Sequence, residues 1–177
     1  MPSSRTFTIK PIRSLILKYK LLKGGLWIDP FANGSRIADI TNDLNPEFDT
    51  NYHMEAQEFL HIFKDASVDG CLYDPPYSPY QVSECYKGFG KNASWLDTSS
   101  NFHTRCKQEL KRIIKPEGLV ICCGWNSNGI GRKWNFFLEE VLLVAHGGNK
   151  NDTIVTVEKR MKNITRPSLN YGERNGN

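Results

Sequence analysis

Val68 to Tyr73 is an apolar run that ends abruptly in Asp74-Pro75-Pro76-Tyr77. Proline donates no ladder hydrogen bond and fixes its own φ, so two in succession stop a strand. A residue ahead of a proline is also kept extended, which prevents the Pro75 carbonyl from turning inward into helical bonding. Asp74, Pro75, Pro76 and Tyr77 therefore present a carboxylate, a carbonyl and an aromatic ring in one fixed geometry. Two acceptors beside a flat ring suit a planar group that carries N–H donors.

Other polar residues stand at comparable places. Leu26-Trp27-Ile28 reads as a buried strand ending at Asp29-Pro30-Phe31, with a turn at Asn33-Gly34-Ser35. A short strand over Ile37 to Thr41 ends in Asn42-Asp43, and the apolar strand Leu119 to Gly124 ends in Trp125-Asn126-Ser127-Asn128. Ligands of open α/β sheets gather outside the carboxyl ends of the strands. Asp29, Asn42, Asp43, Asp74 and Asn126 are thus expected around one shared crevice.

The elements that must position these residues alternate between helix and strand. Ile12, Leu15, Ile16, Tyr19 and Leu22 recur at helical spacing behind Pro11, which predicts a helix from Pro11 to Leu22, stopped by Gly24-Gly25. His53 to Phe63 and Phe102 to Ile114 read as further helices, the latter closed by Pro116-Glu117-Gly118. Phe136 to Ala145 and Thr153 to Val157 read as two final strands joined through Gly147-Gly148-Asn149, an antiparallel hairpin. The alternation predicts an α/β sheet.

With 177 residues, we expect a single domain over residues 1–162, no separate target-recognition domain, and a polar, frayed tail over residues 163–177. The net charge of +4 is mild, but Arg5, Lys10, Arg13, Lys18, Lys20 and Lys23 run without an acid among them. Such a run is either a solvated face or a phosphate-facing rim. The five cysteines lack CxxC spacing and argue for a reducing compartment, against zinc or disulfides. No leader or membrane-length apolar run is evident, so a cytoplasmic protein with no membrane partner is expected. The four histidines show no metal spacing, and Gly129-Ile130-Gly131 lacks the third glycine of a dinucleotide fingerprint.

In order along the chain, "KPIRSLILKY", "GGLWIDPFANGS" and "YDPPY" resemble motifs X, I and IV of the prokaryotic and phage DNA amino-methyltransferases. The resemblance runs from about Phe7 to Lys159. It implies a Rossmann-like, S-adenosylmethionine-dependent methyltransferase fold, with a mixed, mostly parallel sheet and a C-terminal antiparallel hairpin. It also implies methyl transfer to the exocyclic amino group of adenine in DNA, the base being flipped into the Asp-Pro-Pro-Tyr pocket. That nitrogen is a poor nucleophile because its lone pair is delocalised into the ring. Acceptors at Asp74 and the Pro75 carbonyl would favour a pyramidal nitrogen, and Tyr77 would stack on the base. Flipping costs a few kcal/mol, which stacking of roughly 1–3 kcal/mol can offset.

By the same resemblance, Lys10 and Pro11 match motif X, and Asp29, Pro30, Phe31 and Gly34 match motif I around the methionine part of S-adenosylmethionine. Asp43 is placed to accept from the ribose hydroxyls. Glu55 is assigned to the adenine amino group, with Asn42 or Gln57 as alternatives and an ordinary helix-start acid as the competing reading. Too few residues separate Ile28 from Ile40 for a full helical crossover. A shortened first crossover is therefore expected, which shifts the cofactor carboxylate toward Lys10, Ser35 or backbone. For nucleic-acid contact the candidates are Tyr80, Lys87, Phe89, Lys91 and Trp95, aromatics interleaved with lysines; some of the aromatics could instead be core. DNA, single-stranded DNA or RNA is the expected partner, with a separate specificity subunit or a homo-oligomer as further expectations. Cytosine in DNA and adenine in RNA are the alternative targets, and a catalytically silent nucleic-acid-binding protein of this fold is the alternative of another class.

Overall fold

The computed structural model describes residues 6–76, 100–147 and 151–162. A 3-10 turn at Thr6–Thr8 leads into helix α1, Lys10–Lys23. Ile12, Leu15 and Ile16 form its buried stripe, and Pro11 sits in the first turn, where a missing N–H breaks no intrahelical bond. Gly24 ends it at φ +63°, a left-handed value that glycine adopts without a Cβ clash.

Strands β1 (Trp27–Asp29), β2 (Ile40–Thr41), β3 (Val68–Tyr73), β4 (Ile114–Gly124), β5 (Phe136–Val144) and β6 (Thr153–Arg160) make one sheet in the order β2-β1-β3-β4-β6-β5. The first four run parallel, and β6 lies antiparallel between β4 and β5. Helices α2 (Ala56–His61) and α3 (Ser100–Ile113) and a 3-10 turn at Arg132–Trp134 complete the described elements. The expected α/β sheet with its antiparallel C-terminal hairpin is present; Gly148 and Asn149 of the connecting turn and residues 163–177 lie outside the described residues. Among the described residues no helix is long and apolar enough to cross a membrane.

Side chains alternate across the central strands, so β4 serves two cores. Ile121 and Cys123 join Trp27, Leu72 and the stripe of α1 on one face. Val120 and Cys122 join Ile28, Cys71 and Tyr73 on the other, under Phe59 and Leu60 of α2 and Cys106 and Leu110 of α3. Each fully buried Leu, Ile or Phe contributes on the order of 1.5–3 kcal/mol. Gly70 lets β3 approach β1: a Cβ there would stand 2.4 Å from the Trp27 ring.

Several boundaries differ from the sequence expectations, among them the end of β6, at Arg160 rather than Val157, and three others have a visible cause. β2 begins at Ile40 rather than Ile37, because the Ile37 carbonyl accepts Lys20 Nζ at 2.8 Å and the Asp39 carboxylate accepts the Trp27 N–H at 2.8 Å. α2 begins at Ala56 rather than His53, since the Met54 backbone is bonded through both its N–H and its carbonyl to the Asn42 side chain. Pro116-Glu117-Gly118 does not close α3. Ile114 already pairs with Val68, and the register shifts before Gly70 pairs with Leu119, with Glu117 at φ +65°. That segment is a bulge in β4.

Candidate functional site

The first crossover, Pro30 to Asp39, contains no helix, as the residue count required. Ser35 N–H donates to the Ala32 carbonyl at 2.7 Å around Asn33 and Gly34, whose φ values of +46° and +77° match a type I′ turn. Asp43 braces this turn from the end of β2. Its Oδ2 accepts the Asn33 N–H at 2.8 Å and its Oδ1 the Asn45 N–H at 2.9 Å. Asn42 ties the turn to the segment before α2: Nδ2 donates to the carbonyls of Pro30 and Met54, and Oδ1 accepts the Met54 N–H. Asn42 is 1% exposed, and its amide braces the fold.

Between this turn and α1 lies a cavity of about 490 Å³. Phe31, Gly34, Ser35 and Asp74 line it, as do Thr6, Phe7, Thr8 and Arg13, which sequence reasoning missed. Asp29 lies at the end of β1, fully buried. Pro30 is buried and Pro75 is buried with it, while Pro76 is half-buried. Lys10 and Pro11 are exposed on the first turn of α1 and do not line the cavity. Glu55 stands at the N-cap of α2, half-buried, also outside the lining. Tyr77, Tyr80, Lys87, Phe89, Lys91 and Trp95 lie outside the described residues.

The polar strand ends do not share one crevice. Tyr73 belongs to the core under α2 and α3, whereas Asp74 lines the cavity beside α1, because successive side chains of a strand point to opposite faces. Tyr73 instead borders a second cavity of about 180 Å³ at the end of β4, together with Trp125, Asn126 and Asn128. The Phe31 ring meets the Tyr73 ring edge-on at 5.6 Å, which links the walls of the two cavities.

Electrostatically, Asp74 is the acidic residue in the lining of the larger cavity, and Asp29 is buried nearby, outside that lining. Burial pushes the Asp74 carboxyl up to about 7, against a hydrogen bond from the Thr6 side chain that lowers it. Asp29 is held well above the usual carboxylate range. Burial is the main cause, the Phe31 N–H at 3.0 Å opposes it, and the charges of Asp74 and Asp43 add to it. Asp29 Oδ2 and Asp74 Oδ1 are buried with no hydrogen-bond partner among the described residues. Leaving such atoms unpaired costs about 1–3 kcal/mol each, more when ionised. The pair therefore suits a ligand that brings positive charge and N–H donors.

Thr6 carried no sequence signal, because it precedes the first predicted helix in a polar terminus. Arg13 did carry one. It stands one turn before Leu17 and about two before Lys20, and all three line the cavity along a face of α1 distinct from the buried stripe.

No family model matches the chain, and no curated protein does. Solved structures do match its fold. The 1,6-didemethyltoxoflavin-N1-methyltransferase of Burkholderia thailandensis, with 1,6-didemethyltoxoflavin and S-adenosylhomocysteine bound, is 13% identical with TM-score 0.57, over 84% of this chain and 76% of that one. N-methyltransferase NodS of Bradyrhizobium japonicum, in complex with S-adenosylhomocysteine, is 9% identical with TM-score 0.55, over 86% and 87%. TrmN of Thermus thermophilus is 16% identical with TM-score 0.53, over 89% of this chain and 53% of that one. The likeness is one of fold: the chain has the Rossmann-like fold of S-adenosylmethionine-dependent methyltransferases, with a mixed sheet and an antiparallel C-terminal hairpin.

Proposed function

We propose that the protein is an S-adenosylmethionine-dependent methyltransferase that modifies the exocyclic amino group of adenine in DNA. The observation that carries this reading is Asp74. It follows the last residue of β3 and precedes two prolines, is buried in the wall of the larger cavity, and directs one carboxylate oxygen to no partner among the described residues.

The residues present fit the cofactor. About 490 Å³ lies within the range of small-molecule sites, roughly 300–1,000 Å³, and the unpartnered oxygens of Asp29 and Asp74 suit a cationic ligand. When bound, S-adenosylmethionine supplies an electrophilic methyl group on a sulfonium. Phe31, Gly34 and Ser35 would border the cofactor and Asp29 would take its ammonium group. Asp43 would accept from the ribose hydroxyls; a carboxylate has about four acceptor sites, and two are used by backbone N–H groups. Glu55 remains the assignment for the adenine amino group.

Asp74 and the Pro75 carbonyl would accept the two N–H bonds of the target amine and keep its lone pair directed outward. Tyr77, next in sequence, would supply the stacking face. Transfer through an ionised Asp74 should rise with pH through about 7. Adenine rather than cytosine, and DNA rather than RNA, rest on the resemblance of the Asp-Pro-Pro-Tyr sequence. That two structural neighbours are named N-methyltransferases supports nitrogen as the acceptor.

The test is incubation with labelled S-adenosylmethionine and unmethylated DNA, with RNA in parallel, followed by nucleoside mass spectrometry. N6-methyl-deoxyadenosine is expected. Label on cytosine or in RNA would move the target to that alternative, and no transfer to either polymer despite bound cofactor would refute a self-sufficient nucleic-acid enzyme.

A further inference from the structure

We propose that Arg13 is the anchor for the carboxylate of the cofactor's amino-acid end. The inference rests on the cofactor reading above and adds a residue to it. Three cationic side chains line the larger cavity: Arg13, Lys20 and Arg36. Two of them are already engaged. Lys20 Nζ donates to Asp39 Oδ1 at 2.6 Å and to the Ile37 carbonyl at 2.8 Å, which fixes the first crossover against α1. Arg36 pairs with Asp49. Arg13 has no acidic partner among the described residues.

The cavity is therefore electrically polarised. Asp74 lines it and holds one unpartnered oxygen, and the carboxylate of Asp29, buried outside the lining, is near enough for the two charges to interact. Arg13 supplies a guanidinium not committed to an ion pair. An α-amino acid group carries its ammonium and its carboxylate a few bonds apart and suits such a lining. The guanidinium fork matches a carboxylate in bidentate geometry. The Arg13 N–H donates to the Ile9 carbonyl at 2.9 Å, so the backbone that carries the side chain is fixed in the first turn of α1. With no helix after β1, no helix N-terminus is available there to bind the carboxylate. Lys10, proposed for that duty from the sequence, does not line the cavity.

Calorimetry with two probes separates this role from a general effect on folding. S-adenosylhomocysteine carries the amino-acid end, and 5′-methylthioadenosine keeps the adenosine and thioether without it. Arg13→Ala should weaken S-adenosylhomocysteine binding by about tenfold or more and change 5′-methylthioadenosine binding by less than about twofold. Arg13→Lys should recover part of the loss. Equal weakening of both probes, or no change in either, would overturn the assignment while wild-type binding keeps the cofactor reading. If wild type binds neither probe, the cofactor reading fails and the assignment fails with it.

Discussion

Replacing Asp74 by Asn should make the protein more stable at pH 8, against the usual direction for a buried polar residue. Burial raises the Asp74 carboxyl from 3.8 to about 7. Between those values the native state holds a proton that the unfolded state has released, so stability falls as pH rises through that window. Roughly three pK units at 1.36 kcal/mol each give a penalty of up to about 4 kcal/mol, fully present above pH 7. Asn is nearly isosteric, has no charge to desolvate, and its Oδ1 can still accept a hydrogen bond from the Thr6 side chain. Urea denaturation of wild type and variant between pH 4 and pH 8 should show curves that nearly coincide at the acid end and separate as pH rises. The corresponding increase in Tm at pH 8 is on the order of 10 °C. A variant less stable by the same amount at every pH would refute the reasoning, because it would mean that the native carboxylate is well paired.

Three further outcomes follow from the packing. Asn42→Ala removes three hydrogen bonds, one buried to Pro30 in the first crossover and two part-buried to Met54 before α2, and should cost about 3 kcal/mol in urea denaturation; a loss under about 1 kcal/mol would contradict the bracing role. Gly70→Ala forces a methyl group onto the Trp27 ring and should cost roughly 1–3 kcal/mol, with Trp27→Leu in the same chain recovering part of it; additive losses would place the strain elsewhere. The thiols of Cys71, Cys122 and Cys123 are pushed up by burial, and that of Cys106 to about 12 by the same cause. Peptide mapping after alkylation at pH 8 should find these four unmodified in the native protein and modified in urea. Rapid native labelling would show that the cores are open.

What the sequence revealed depended on how local the determining forces were. α1 was legible because its apolar stripe, Pro11 and Gly24 act within one turn of the residues they govern. β3 was legible because Pro75 and Pro76 cut it off at a fixed place. The missing helix after β1 followed from chain length alone. By contrast, β2 was shortened by Lys20, about twenty residues away, and α2 by the side chain of Asn42, neither of which leaves a periodic mark. Asp29 and Asp74 were identified as strand-end acids, but that one oxygen of each is buried without a partner among the described residues follows from the packing around them. The division into two cavities follows from strand alternation: Tyr73 and Asp74 are adjacent and must face opposite sides. That could have been inferred from the sequence had alternation been carried past the end of the strand.

The most direct test of the account pairs binding with transfer in one variant. Asp74→Ala removes the carboxylate that is assigned to the target amine and leaves the turn at Gly34 and the lining on α1 in place. S-adenosylhomocysteine should still bind to the variant within about tenfold of wild type, while methyl transfer to adenine in DNA falls by at least about a hundredfold. Undiminished transfer with normal cofactor binding would contradict the claim that Asp74 acts on the accepting nitrogen.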